Sequence, residues 1–175
     1  SMDSGPTLMA LEARVNILSP AGRRQVPLAE FFLGPRKTVL KPDELLAESV
    51  IPSQNLGKPT HFLKFGLRKG QALALVSVAA SLWIDGDTLL CSAPRIALGA
   101  VAPTVIRAPK AEAYLDGRTI TPDAMAEAGG IAAAEAKPIS DFRASAWYRR
   151  ELVAVLTRRA LAGACEQART HRRGA

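Results

Sequence analysis

The run at residues 72–84 constrains this chain more than any other feature. It is apolar at both odd and even positions, broken only by Ser77 and Ser81. A half-buried strand alternates apolar with polar, so a run apolar on both faces has to be a central strand covered on both sides. It is also too short to cross a bilayer. Two further strand-like runs flank it, at residues 61–67 and 89–100. Asp85-Gly86-Asp87 separates the second from the third, a turn suited to positive φ. The rest of the chain has to supply the cover.

That cover is helical. Residues 109–115 read as a helix ended by Asp116-Gly117, and Thr121-Pro122-Asp123 opens another with Thr121 as N-cap. Gly129-Gly130 is expected to interrupt or bend it. Residues 144–169 form the longest helix, with Tyr148, Leu152, Val155, Leu156, Ala162 and Gly163 on one stripe. Upstream, residues 6–13 read as a short helix, 14–18 and 23–27 as a hairpin, 28–32 as a helical turn and 45–51 as a strand. The polar stretch 53–59 is the best linker candidate. A small antiparallel sheet of about three strands followed by segregated helices is an α+β fold.

Residue chemistry offers no reaction. There is no GxGxxG, Walker loop, GxSxG or HExxH, so no catalytic residue is assigned. Residues 98–103 contain a single glycine, Gly99, and read as a strand that bends there and stops at Pro103. Asp85 and Asp87 read as solvated turn formers. Cys91 and Cys165, like His61 and His171, lie far apart without metal-ligand spacing. No protein-bound metal is expected, and the thiols read as buried and reduced. The net charge of +7 is scattered in pairs with few aromatics, so nucleic acid is not the expected partner. No membrane segment or secretory signal is visible, and a cytoplasmic location is expected. Ser1 ahead of Met2 reads as the remnant of a cleaved tag.

Three segments add a family resemblance. Phe62-Leu63-Lys64-Phe65-Gly66-Leu67-Arg68-Lys69-Gly70-Gln71-Ala72-Leu73-Ala74 resembles the opening of the C-terminal domain in the FAD-binding subunit of the xanthine dehydrogenase and carbon monoxide dehydrogenase family of molybdenum hydroxylases. Ile96-Ala97-Leu98-Gly99-Ala100-Val101-Ala102-Pro103-Thr104-Val105-Ile106-Arg107 and Ser140-Asp141-Phe142-Arg143-Ala144-Ser145-Ala146-Trp147-Tyr148-Arg149-Arg150 resemble later parts of the same domain. Residues 27–35 and 44–52 look like the end of that subunit's flavin-binding domain. The resemblance implies a remnant of an FAD-binding domain at 1–53, a C-terminal α+β domain at 59–170 and a basic tail at 171–175.

The family's subunit carries FAD, takes electrons from a [2Fe–2S] small subunit and passes them to an external acceptor such as NAD⁺. Substrate is oxidised at a molybdenum cofactor in a large subunit. By resemblance, Asp3 matches an aspartate that hydrogen-bonds the ribityl or phosphate region of FAD. Leu46 matches a leucine packed on the flavin or adenine face. Lys64 matches a lysine near the flavin ring, where a cation favours reduced, anionic flavin. The bland readings are a helix N-cap for Asp3, a core strand position for Leu46 and an exposed strand charge for Lys64. The family's two glycine-rich pyrophosphate loops lie upstream of the position matching Asp3. A truncated subunit that holds FAD weakly or not at all, inactive in isolation, is therefore expected. The alternative is a free-standing, non-catalytic interaction module that pairs with a second copy of itself.

Overall fold

The computed structural model describes residues 2–86 and 88–173, the side chains of 171–173 excepted. Ser1, the Asp87 half of the turn pair and the side chains of the basic tail lie outside the described residues. Helix α1 (Ser4–Ala10) leads into the hairpin β1 (Arg14–Ser19) and β2 (Gly22–Pro27), which β5 (Leu45–Val50) extends in the order β2-β1-β5. Between them come the turn α2 (Leu28–Phe31) and a small ribbon, β3 (Phe32–Gly34) with β4 (Lys37–Thr38). The main sheet is antiparallel in the order β6 (Thr60–Gly66), β7 (Ala74–Ile84), β8 (Cys91–Gly99) and β9 (Ile106–Arg107). Helices α3 (Pro109–Leu115), α4 (Pro122–Glu135) and α5 (Ala146–Arg173) follow. The short fourth strand β9 is an addition to the three expected.

β7 is covered on both faces, and its alternation shows how. Val76, Val78, Ala80 and Leu82 face a core shared with Ile96 and Leu98 of β8, Ala128 and Ala132 of α4, and Val153 and Leu161 of α5. Each fully buried leucine or valine there contributes about 1.5–3 kcal/mol. The other face presents small side chains, Ser77, Ala79 and Ser81, and α1 packs there. Ala79 and Ala97 share a second core with Met9, Ala10, Val15, Ile17 and Phe31. The Ser81 hydroxyl donates to the Ala10 carbonyl at 2.9 Å, closing the end of α1 onto the strand. At Gly99 a side chain would run into the Ser77 hydroxyl and the ring of Pro6. β8 stops at this glycine and does not bend there and run on to Pro103 as expected, and the main work of Gly99 is to admit α1.

Residues 53–59 hold a short 3-10 turn (Ser53–Asn55) and two buried polar side chains, Asn55 and Lys58. Asn55 Nδ2 donates to the Leu11 carbonyl at 3.0 Å. The β7–β8 connection runs to Leu90, with the Thr88 amide and hydroxyl both donating to the Asp85 carboxylate. β8 accordingly begins at Cys91 and not at Leu89.

Two helical expectations need correction. α4 runs unbroken through Gly129-Gly130, because Gly129 is where α5 crosses and a Cβ would stand 2.5 Å from the Ala154 carbonyl oxygen. Thr121 does cap this helix, its hydroxyl accepting from the Ala124 amide at 3.1 Å. On α5 the buried arc is Arg149, Val153, Leu156, Thr157, Ala160, Leu161, Ala164, Cys165 and Ala168. Of the expected stripe Leu156 lies in this arc, while Leu152, Val155 and Gly163 are half-buried beside it and Tyr148 and Ala162 are exposed. A helix pinned between a sheet and α4 buries whatever faces those two neighbours, including a charged and a hydroxyl residue that disguise the arc in the sequence.

Candidate functional site

Asp3 stands at the N-cap position of α1, yet its side chain caps nothing. Its Oδ2 instead accepts from Lys64 Nζ at 2.5 Å, joining residues 61 apart in sequence. Lys64 sits on the edge strand β6 and also donates to the Ala72 carbonyl at 3.3 Å. The Ala72 end of the β6–β7 loop folds back because Gly66 leaves room: a Cβ there would meet the Ala72 Cβ at 2.9 Å. The result is a cation and a carboxylate at one edge, the carboxylate more exposed than the ammonium. Such a pair adds only about 0–1 kcal/mol to stability, so both groups keep capacity for a ligand.

Leu46 lies in the other sheet, on β5 across from Ile17, beside a register shift in β1. It is 45% exposed and so is not a core strand residue. The structure thus brings Asp3 and Lys64 together and places Leu46 on a different sheet from Lys64, with its apolar side chain open. These donors and surfaces suit the parts of a flavin dinucleotide: a carboxylate for hydroxyls, an ammonium for an electron-rich ring edge and a leucine for an aromatic face.

Two polar clusters went unassigned in the sequence. Arg149, buried at the start of α5, donates to the Leu75 carbonyl at 2.6 Å and to Asp141 Oδ1 at 2.9 Å. Burial would raise the Asp141 carboxyl, but the Arg143 and Ala144 amides and Arg149 outweigh it and hold it at about 2. The second cluster joins α1 to the main sheet. Glu12 accepts from Arg95 Nε at 2.7 Å and from Asn55 Nδ2 at 3.2 Å, and Arg107 pairs with Glu112. Burial opposes ionisation of Glu12, and these donors hold its carboxyl below the usual range regardless. Nearby, buried Lys58 donates to the Ala93 carbonyl at 2.6 Å. No composition or spacing rule finds such pairs, because their members meet only after folding.

Cys91 and Cys165 are free and buried, and burial pushes their thiols up to about 12 and about 11. Among the described residues no group of three or more His, Cys, Asp or Glu could hold a metal ion. None of the helices described is long and apolar enough to cross a membrane.

Comparison with known proteins follows the same layout. Residues 61–164 match the model of the CO dehydrogenase flavoprotein C-terminal domain. Residues 1–54 match that of the FAD binding domain in molybdopterin dehydrogenase. The glyceraldehyde dehydrogenase medium chain of Sulfolobus acidocaldarius is 32% identical over 158 residues, 90% of this chain and 55% of that one. The carbon monoxide dehydrogenase medium chain of Hydrogenophaga pseudoflava is 33% identical over 153 residues, 87% and 52% of the two. Among solved structures, CO dehydrogenase from Oligotropha carboxidovorans superposes with a TM-score of 0.86 at 30% identity, covering 95% of this chain and 57% of that chain. Quinoline 2-oxidoreductase from Pseudomonas putida 86 gives 0.81 at 34%, covering 95% and 58%. The chain spans about half the length of the curated relatives it matches.

Proposed function

This chain belongs to the family of CO dehydrogenase flavoprotein C-terminal domains, found in the FAD-binding medium chains of CO and xanthine dehydrogenases, and from that premise we propose its role. It forms the C-terminal wall of the flavin site in the electron-transfer subunit of a molybdenum hydroxylase. Electrons come from a [2Fe–2S] subunit and leave to an external acceptor, while a molybdenum-containing large subunit oxidises the substrate. The observation that carries this reading is the Asp3–Lys64 pair, which joins the FAD-binding and C-terminal regions at one edge.

When bound, FAD would supply two-electron uptake and release. The protein's share is positioning. Asp3 accepts hydrogen bonds from hydroxyl groups, and Lys64 sets a positive charge beside the ring edge. Leu46 offers an apolar surface whose contact is worth about 1–2 kcal/mol. Residues 1–53 are the flavin-domain part, 59–170 the C-terminal domain and 171–175 a basic tail. The cytoplasm is the compartment that suits this assembly.

Three side-chain contacts, all of them partly solvated, hold a large dianionic cofactor loosely. The 175-residue chain alone is therefore FAD-poor and inactive. Titrating FAD into it while following flavin fluorescence should give a Kd weaker than about 10 μM, about −7 kcal/mol. Lys64→Gln and Leu46→Ala should each weaken it several-fold further. Stoichiometric yellow protein on purification overturns the weak binding, and variants that titrate like the parent overturn the residue roles.

A further inference from the structure

The segment between α4 and α5 is held rigid while its largest side chains point away from the protein. Asp141 Oδ1 accepts from the Arg143 amide at 2.9 Å and the Ala144 amide at 3.1 Å. Arg149 ties the same oxygen to the main sheet. Ser140 and Ser145 hydroxyls accept from the Ala146 and Tyr148 amides at 2.8 and 3.1 Å. Yet Phe142 on this braced loop is 89% exposed and Trp147 68%. Arg143 stacks over the Phe142 ring at 4.3 Å.

The surroundings extend the patch. Leu67, Leu73 and Phe142 border a hollow of about 280 Å³, with Arg68 and Arg143 among its other walls. Leu73 and Arg143 also border a cleft of about 480 Å³ with Ile139 and Lys137. Leu67, Leu73 and Ile139 are all exposed. Asp141 is the single acid lining either hollow, and it is already paired to arginines. An exposed aromatic on a preorganised loop, next to concave apolar hollows and rimmed by arginine, with a second exposed aromatic, Trp147, in the first turn of α5, has the make-up of an interface hot spot.

We propose that this face, centred on Phe142 and its two hollows and reaching Trp147 in the first turn of α5, docks a protein partner whose surface offers an apolar socket rimmed by carboxylates. The cationic rim sets the partner's sign. It also disfavours a second copy, since a two-fold contact through this face would set Arg68 and Arg143 of both copies against one another. Resting on the function proposed above, the partner is one of the other two subunits of the assembly. A rigid loop beside hollows deep enough to receive side chains favours a protein over an anionic lipid surface.

The test co-expresses the full chain with the molybdenum and [2Fe–2S] subunits from its own source. Association is measured at several salt concentrations for the parent, Phe142→Ala/Trp147→Ala, Arg68→Glu and a control, Leu33→Ala, exposed on β3. The double variant should keep the parental melting temperature and weaken association about 30-fold or more. Arg68→Glu should weaken it less, with a shallower salt dependence, and Leu33→Ala should leave it unchanged. Assembly that forms and is indifferent to the double variant overturns this surface while leaving the proposed function standing. No assembly even by the parent overturns both. A parent that is dimeric by light scattering, or that binds phosphatidylserine vesicles, and loses that property in the double variant also overturns the protein-partner assignment.

Discussion

Lys58 is the residue whose charge sits least comfortably. It is buried, has the Ala93 carbonyl as its hydrogen-bond partner and lies near Arg95 and Arg107. Burial first, then the Arg95 charge, brings its ammonium down to about 8 from an ordinary 10.5. The native protein therefore releases this proton near pH 8, while the unfolded chain keeps it to about 10.5. Between those values the unfolded state binds more protons, so this group's penalty on stability is full below pH 8 and fades as pH rises. The two raised thiols act oppositely above pH 9, so the comparison has to be made by difference. Relative to the parent, Lys58→Met should be most stabilised at pH 7, and its advantage should shrink by pH 10. The expected change is about 1 kcal/mol, roughly 2–4 °C in Tm, read from thermal melts across that range. Nothing in the sequence marks Lys58, which sits in a Gly/Pro-containing stretch that reads as a linker. Asp3 and Lys64 were legible only through resemblance; their pairing across 61 positions depends on α1 settling against the main sheet.

Hydrophobic patterning disclosed β7 because a strand apolar on both faces has one structural solution. α4 was harder to read. Its paired glycines argue for a break if the helix is considered alone, since glycine costs about 1 kcal/mol relative to alanine in a helix interior. The packing separates the two residues. A Cβ at Gly129 would meet the Ala154 carbonyl oxygen of α5 at 2.5 Å, whereas nothing lies within 4 Å of one at Gly130. Gly129→Ala should therefore destabilise the protein by about 2 kcal/mol or more despite its better helix propensity, since α5 backbone has to move. Gly130→Ala should stabilise it by roughly 0.5–1 kcal/mol. Urea titrations of the two single variants check this, and equal effects in either direction would refute the packing account. The displaced stripe on α5 has the same origin: burial of Arg149 and Thr157 comes from the neighbours of the helix and not from its own periodicity.

Two segments that match two different family models nevertheless share one of the two hydrophobic cores. Met9, Ala10, Val15 and Ile17 pack with Ala79 and Ala97 of the main sheet. Polar ties run alongside: Asp3 to Lys64, Glu12 to Arg95, Asn55 to the Leu11 carbonyl and Lys58 to the Ala93 carbonyl. Composition marked residues 53–59 as a linker candidate and resemblance suggested a division there, but neither disclosed that the small-residue face of β7 seats α1. If the regions were independent, tryptophan fluorescence would follow only the second, because Trp83 and Trp147 both lie there. Far-ultraviolet circular dichroism, which sums both, would then show an earlier transition as well. A shared core makes the loss of either region expose the other, so the two probes should give coincident urea curves with one midpoint. Opening the shared face with Ala79→Asp, which buries a charge where Met9 and Ala10 pack, should lower that common midpoint for both probes. Its cost is about 3 kcal/mol or more. Separate midpoints for the two probes in the parent protein would show that the second core does not couple the two regions.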